Sequence, residues 1–191
     1  MVEKWNRVDS RGVADYRIFQ VRQDTSRSPL TGRLSDFWVL EMAQWVNIIP
    51  LTPAGKVVLI RQYRHGIQEV CLEIPGGIAE EKDGPPAVAA RRELIEETGY
   101  EVEKVIPIGR VSPNPAIQNN QCHSFLGLGA YPAGKQQLEG TEDISLEEVG
   151  LEEIPGLIVS GQIKHALVIV AFYLFEQFRK ENPACLREFY P

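Results

Sequence analysis

The sequence predicts a mixed α+β fold, or a β-sheet sandwiched by helices, and three observations carry that reading. Dense strand signals begin at Trp45 and recur to about residue 149. One helix, Pro85 to Thr98, interrupts them and two more close the chain, so regular βαβ alternation is missing. The first forty-odd residues carry weak strand signals and too little apolar material to stand alone, which predicts a small antiparallel sheet.

The elements follow in order. "DYRIFQV", Asp15 to Val21, alternates loosely as a strand does, and Arg22 to Asp36 is polar and turn-rich. A second strand covers Phe37 to Glu41. "WVNIIPLT" and "KVVLIRQYR" flank a short "PAG" turn and read as a strand pair. "VCLEIPGG", Val70 to Gly77, is a strand running into a glycine loop. Strands return near Glu103 to Val111, Gln121 to Leu128 and in "EDISLEEV". Helices are expected at about Leu151 to Ser160 and Lys164 to Lys180.

Composition narrows the function. The chain has 191 residues, 43% apolar, with net charge −6. That balance disfavours a general nucleic-acid binder, which would need a basic surface. A phosphate substrate stays open, because a bound cation reverses the local field. Cys71, Cys122 and Cys185 are odd in number and lack metal-ligand spacing, which points to a reducing compartment. The most apolar stretch, Ala166 to Phe175, is about half the roughly 20 residues that cross a bilayer. No membrane association and a cytoplasmic location are expected.

The stretch "RRELIEETGY" poses the chemical question. Pro85 and Pro86 suit the first turn of a helix, Asp83 or Gly84 would cap it, and Gly99 suits its C-terminal end. At about 100° per residue, Glu93, Glu96 and Glu97 fall within roughly a 100° arc. Ala87, Ala90, Leu94 and Thr98 lie on a neighbouring face that can bury. Three like charges at these spacings repel, and Arg91 and Arg92 relieve them only in part. A divalent cation would relieve the rest. Mg²⁺ takes hard oxygens from carboxylates, phosphate and water. Gly76 and Gly77 allow backbone to approach a ligand closely. An exposed acidic helix after a tight turn is the plainer alternative.

Gly77-x5-Asp83-x8-Arg92-Glu93-Leu94-Ile95-Glu96-Glu97-Thr98-Gly99-Tyr100 resembles the Nudix box of the Nudix hydrolases. It departs by having Asp83 where the family has Glu, by a gap one residue longer, and by the aromatic Tyr100. The role of Asp83 is left open. The resemblance implies an α/β/α sandwich with a mixed sheet over about Trp45 to Lys180. It implies a division into residues 1–44, a dimer-forming β subdomain, and 45–191, the hydrolase domain. It implies Glu93 and Glu97 as Mg²⁺ ligands, Glu96 as ligand to a further ion, the Gly76 carbonyl as a backbone ligand, and Arg92 orienting the glutamates. Mn²⁺ is the substitute cation.

Stretches outside the box resemble the ADP-ribose and nucleoside-diphosphate-sugar pyrophosphatases within that family. "VLIRQYRHG" places Arg64 where the subgroup reaches substrate. Pro115 stands near the subgroup's marker proline, and Asn119, among dense amides, offers sugar contacts or simply forms a turn. "EGTEDISLEEV" resembles the segment that supplies the catalytic base; Glu142 matches best, with Asp143 and Glu139 as alternatives. Trp45 is the candidate for stacking on a base, while Trp38 reads as core. His65, His123 and His165 read as structural or incidental, with a place near substrate as the alternative for His65. The implied substrate is a nucleoside-diphosphate-linked small molecule, and the implied assembly is a homodimer. Its N-terminal sheets either exchange between subunits or pack within one chain. The alternatives are a house-cleaning triphosphate pyrophosphatase and a Nudix-fold module that binds without catalysis.

Overall fold

The structure is a computed structural model that describes residues 1–138, 140 and 142–187. The chain divides into two compact units. The first is Met1–Gln44 with Ser112–Gln121; the second is Trp45–Val111 with the chain from Cys122 on.

The first unit is a three-stranded antiparallel sheet, β1 (Asn6–Asp15), β2 (Gln20–Arg27) and β3 (Leu34–Glu41), in that order. The expected strand at Asp15–Val21 is instead the hairpin between β1 and β2. Arg17 takes φ 68° there, and the Tyr16 N–H bonds the Phe19 carbonyl at 2.9 Å. The reason is visible in β1, nine of whose ten residues are exposed. A strand wet on both faces leaves no apolar alternation to read. Polar bonds hold the pair instead: Asp24 accepts from Ser10 Oγ at 2.6 Å and from Arg22 Nε at 3.0 Å. Trp38 is 57% exposed, which corrects its reading as a core residue.

The second unit is built on a seven-stranded mixed sheet. Its strands are β4 (Trp45–Leu51), β5 (Lys56–Arg64), β6 (Glu69–Glu73), β7 (Gly76–Ile78), β9 (Lys104–Val111), β10 (Cys122–Leu128) and β12 (Ile144–Gly150). The main path runs β12-β5-β4-β10-β9, with β6 on β5 and β7 on β4. Only β4 and β10 pair in parallel, Trp45 opposite Cys122 through Leu51 opposite Leu128. Short strands β8 (Tyr100–Glu101) and β11 (Tyr131–Pro132) form a separate pair. The helices are α1 (Pro86–Thr98), α2 (Ile154–Val159), α3 (Ala166–Glu181) and α4 (Pro183–Arg187). The segment expected to open α2, Leu151–Glu153, is a 3₁₀ turn.

The period of two along β4 distributes the core. Val46 and Ile48 face α1 with Ala89, Ala90, Leu94 and Phe125. Ile49 and Leu51 face the opposite layer, with Leu126, Val168, Phe172 and Phe175. Because both faces are covered, β4 reads as an almost unbroken apolar run. On α3, Val168, Ala171, Phe172 and Phe175 recur at i, i+3, i+4 and i+7, one stripe laid on the sheet. This is an α/β/α sandwich with a mixed sheet, as the box resemblance implied. Among the described residues no helix is long and apolar enough to cross a membrane.

Candidate active site

Helix α1 begins after Pro85, which sits at the N-cap in place of the expected Asp83 or Gly84. A proline there costs no hydrogen bond. The helix ends at Gly99, φ 70°, whose N–H returns to the Ile95 carbonyl at 2.8 Å. Between these ends the three glutamates are graded in depth. Glu97 is 4% exposed, the Glu93 side chain 14%, and the Glu96 side chain 38%. Ala90, Leu94 and Thr98 bury as expected, but Glu97 goes inward with them.

The two glycines form no loop. They make the short strand β7, with Gly76 opposite Asn47 and Gly77 opposite Val46. Each has a steric reason to lack a side chain. A Cβ on Gly76 would stand 2.4 Å from the Val46 carbonyl oxygen, and one on Gly77 would stand 2.5 Å from the Glu93 carboxylate. The Gly76 N–H donates to Glu97 Oε2 at 2.9 Å.

Arg92 organises the rim. Its Nε and NH2 grip Asp83 Oδ1 and Oδ2, both at 2.9 Å, and NH2 also reaches the Ile78 carbonyl at 3.0 Å. NH1 donates to Glu96 at 2.8 Å and lies 3.0 Å from Glu93 Oε1. Asp83, whose role the sequence left open, is therefore the anchor of Arg92. Hydrogen bonds from Arg92 hold its carboxyl down at about 2.

Electrostatics set Glu93 and Glu97 apart. Burial pushes the Glu97 carboxyl up, the Gly76 N–H opposes it, and the charges of Glu93 and Glu142 add to the rise, giving about 8. Burial also raises Glu93; Arg92 opposes this, while Glu96 and Glu142 reinforce it. The half-buried Glu142 thus lies within electrostatic reach of both. Its loop is laced to α1: Gln136 Nε2 donates to the Glu97 carbonyl at 2.7 Å and the Ile144 carbonyl at 3.1 Å, and the Gln137 N–H to the Glu96 carbonyl at 2.8 Å. Asp143 is exposed. Glu139 lies outside the described residues.

Among the described residues no three acidic, histidine or cysteine side chains form a metal-holding cluster. Glu96 is turned to Arg92, and Glu97 to the Gly76 N–H. The donor set nevertheless fits a hard divalent cation. Two buried carboxylates, each raised by burial and by neighbouring carboxylates, are relieved by positive charge, and all their donors are oxygen.

A cavity of about 570 Å³ adjoins this face, within the roughly 300–1,000 Å³ usual for small-molecule sites. Trp45, Asn47, Arg64, Glu73, Gly76 and His165 are among its walls. It meets the glutamate face at the two glycines. The structure thus gathers Trp45, Arg64 and Gly76 around one space, beside Arg92, Glu93, Glu96, Glu97 and Glu142. Pro115 and Asn119 belong to the first unit. Pro115 sits in the turn from Asn114 to Gln118, and Asn119 Oδ1 is occupied by the Met42 N–H at 3.1 Å.

Sequence reasoning missed Glu73 and the use made of His165. Glu73 is 2% exposed and accepts from Arg64 and from His165. The signal available was a charge between Leu72 and Ile74, in a strand otherwise suited to burial.

Comparison with known proteins places the chain in a family. Residues 43–172 match the family model described as NUDIX domain. An ADP-ribose pyrophosphatase of Bacillus subtilis (strain 168) is 29% identical over 136 residues, 71% of this chain and 73% of that protein. A methanol dehydrogenase activator of Bacillus methanolicus is 28% identical over 156 residues, 81% of this chain and 83% of that protein. A crystal structure of an ADP compounds hydrolase shares the fold at TM-score 0.83 and 20% identity, covering 95% of this chain and 97% of that one. With two thirds of its length under the family model and the Arg-Glu…Glu-Glu helix built as described, this chain belongs to the Nudix family.

Proposed function

We propose that this protein is a Nudix pyrophosphatase that hydrolyses the diphosphate of ADP-ribose or a related nucleoside-diphosphate sugar. The products are a nucleoside monophosphate and a sugar phosphate. One observation carries the proposal. The buried pair Glu93 and Glu97, both with carboxyls raised above the ordinary value, stands against the glycine edge of a cavity that also holds Arg64 and Trp45. The name of the Bacillus subtilis relative supports the substrate class.

Glu93 and Glu97, with Glu96 at the rim and the Gly76 carbonyl, are the groups that would hold Mg²⁺, or Mn²⁺ in its place. Such a cation supplies charge neutralisation at phosphate oxygens and acidifies water. Arg92 orients the glutamates from its anchor on Asp83. Arg64 binds the diphosphate, and Trp45 stacks on the base. Glu142 takes a proton from the attacking water as a P–O bond of the diphosphate breaks.

The same proposal assigns homodimer formation to residues 1–44, where Trp5, just before the small sheet, and Phe37 and Trp38 on it are exposed. It places the protein in the cytoplasm, where its three free cysteines would stay reduced. The test is a panel of ADP-ribose, other nucleoside-diphosphate sugars and nucleoside triphosphates, with products identified. AMP and ribose phosphate from ADP-ribose are expected. Pyrophosphate release from triphosphates with no cleavage of ADP-ribose would overturn the reading.

A further inference from the structure

Arg64 ends β5 and turns back across β6. Its Nε donates to Glu73 Oε1 at 2.9 Å and its NH2 to Oε2 at 2.8 Å. Two parallel bonds fix the plane of the guanidinium as well as its position. Glu73 Oε2 is also 2.9 Å from His165 Nδ1, at the N-cap of α3. A carboxylate has only acceptors, so Nδ1 carries the hydrogen. Donors from β5 and from the start of α3 therefore converge on one buried carboxylate of β6. Among the described residues Arg64 NH1 has no hydrogen-bond partner, while Arg64 lines the cavity and lies within electrostatic reach of Glu97.

We propose that Glu73 and His165 are positioning residues, which hold Arg64 with its NH1 edge presented to the diphosphate of the substrate. The inference rests on the substrate class proposed above. A guanidinium already clamped in plane loses little further freedom when a ligand arrives, which favours binding. An unclamped arginine on a strand end would have to be ordered by the ligand itself. His165 acts one step further out: it fixes the Glu73 oxygen that NH2 uses.

Binding of ADP-ribose, measured by calorimetry, tests this beside kcat, KM and Tm. His165→Ala is expected to weaken binding about tenfold, the scale of one charge-assisted hydrogen bond, with kcat nearly unchanged. His165→Asn, whose amide can donate to Glu73, should restore most of the loss. Glu73→Gln should weaken binding further. In an Arg64→Ala background His165→Ala should add nothing, because the residue it acts through is gone. A purely structural rivet would lower Tm and leave binding at the wild-type value in both single variants. That result overturns the proposal, as does full additivity with Arg64→Ala. Wild-type protein that binds ADP-ribose without cleaving it, with the expected variant series, sinks the hydrolase reading and leaves the positioning role standing. Wild-type protein that binds neither ADP-ribose nor inorganic pyrophosphate overturns both.

Discussion

Glu73 and Glu97 are buried almost equally, at 2% and 4% exposure, yet one is held at about 2 and the other at about 8. Burial penalises the charge in both. At Glu73 the hydrogen bonds of Arg64 and His165 outweigh that penalty. At Glu97 one backbone N–H cannot, and Glu93 and Glu142 add repulsion. The β6 region spends its buried charge on holding another side chain still. The α1 face leaves the deepest of its acids, Glu97, with a single backbone donor, which suits it to a metal. Depth alone does not say what a buried acid is for; its partners do.

The largest test of this contrast is Glu97→Gln. Turnover of ADP-ribose should fall by at least about 10³-fold, the scale of several kcal/mol of lost cation-assisted stabilisation. The same variant should be more stable than wild type in chelator at pH 8. The sign follows from the raised pKa. The Glu97 contribution to stability is present below about 4.5 and is lost as pH rises through about 8, so removing the acid helps at the alkaline end. Equal Tm values across that range would break the comparison.

Glu142→Gln should lower kcat by about 10²- to 10³-fold while ADP-ribose still binds, as expected for loss of a general base. Full activity in this variant would move the base to Asp143 or Glu139.

Glu73→Gln sharpens the other half. Its folded value lies below the ordinary 4.5, so its contribution is present above about 4.5 and lost as pH falls through about 2. At neutral pH the variant should be less stable by about 3 kcal/mol, at about 1.4 kcal/mol per unit. The deficit should shrink in acid. A deficit that persists at pH 2 would point to packing instead.

Gly77→Ala is the finest probe. Its Cβ would press on the Glu93 carboxylate, and the affinity for Mg²⁺ should drop about tenfold, as for a disturbed ligand support. Isothermal titration with the cation measures this directly.

The chemistry of α1 was legible because it is local. Helix periodicity puts Glu93, Glu96 and Glu97 on one side whatever lies around them, and Gly99 ends the helix through its own backbone freedom. The strands of the second unit were legible because burial on both faces writes an apolar run. The first unit was misread at Asp15–Val21 because its strands are wet and their polar residues give no period. Gly76 and Gly77 looked like a loop because a three-residue strand against β4 has no pattern of its own.

The sequence by itself settled the family, the sandwich and the side of the helix that carries acid. Tertiary structure decided the rest. It set the depth order of the three glutamates, the anchoring of Arg92 on Asp83, and the meeting of Arg64, Glu73 and His165. Glu73 and His165 stand 92 positions apart in the chain. A carboxylate's charge depends on which donors and which other charges surround it once the strands have paired, and no local spacing encodes that neighbourhood.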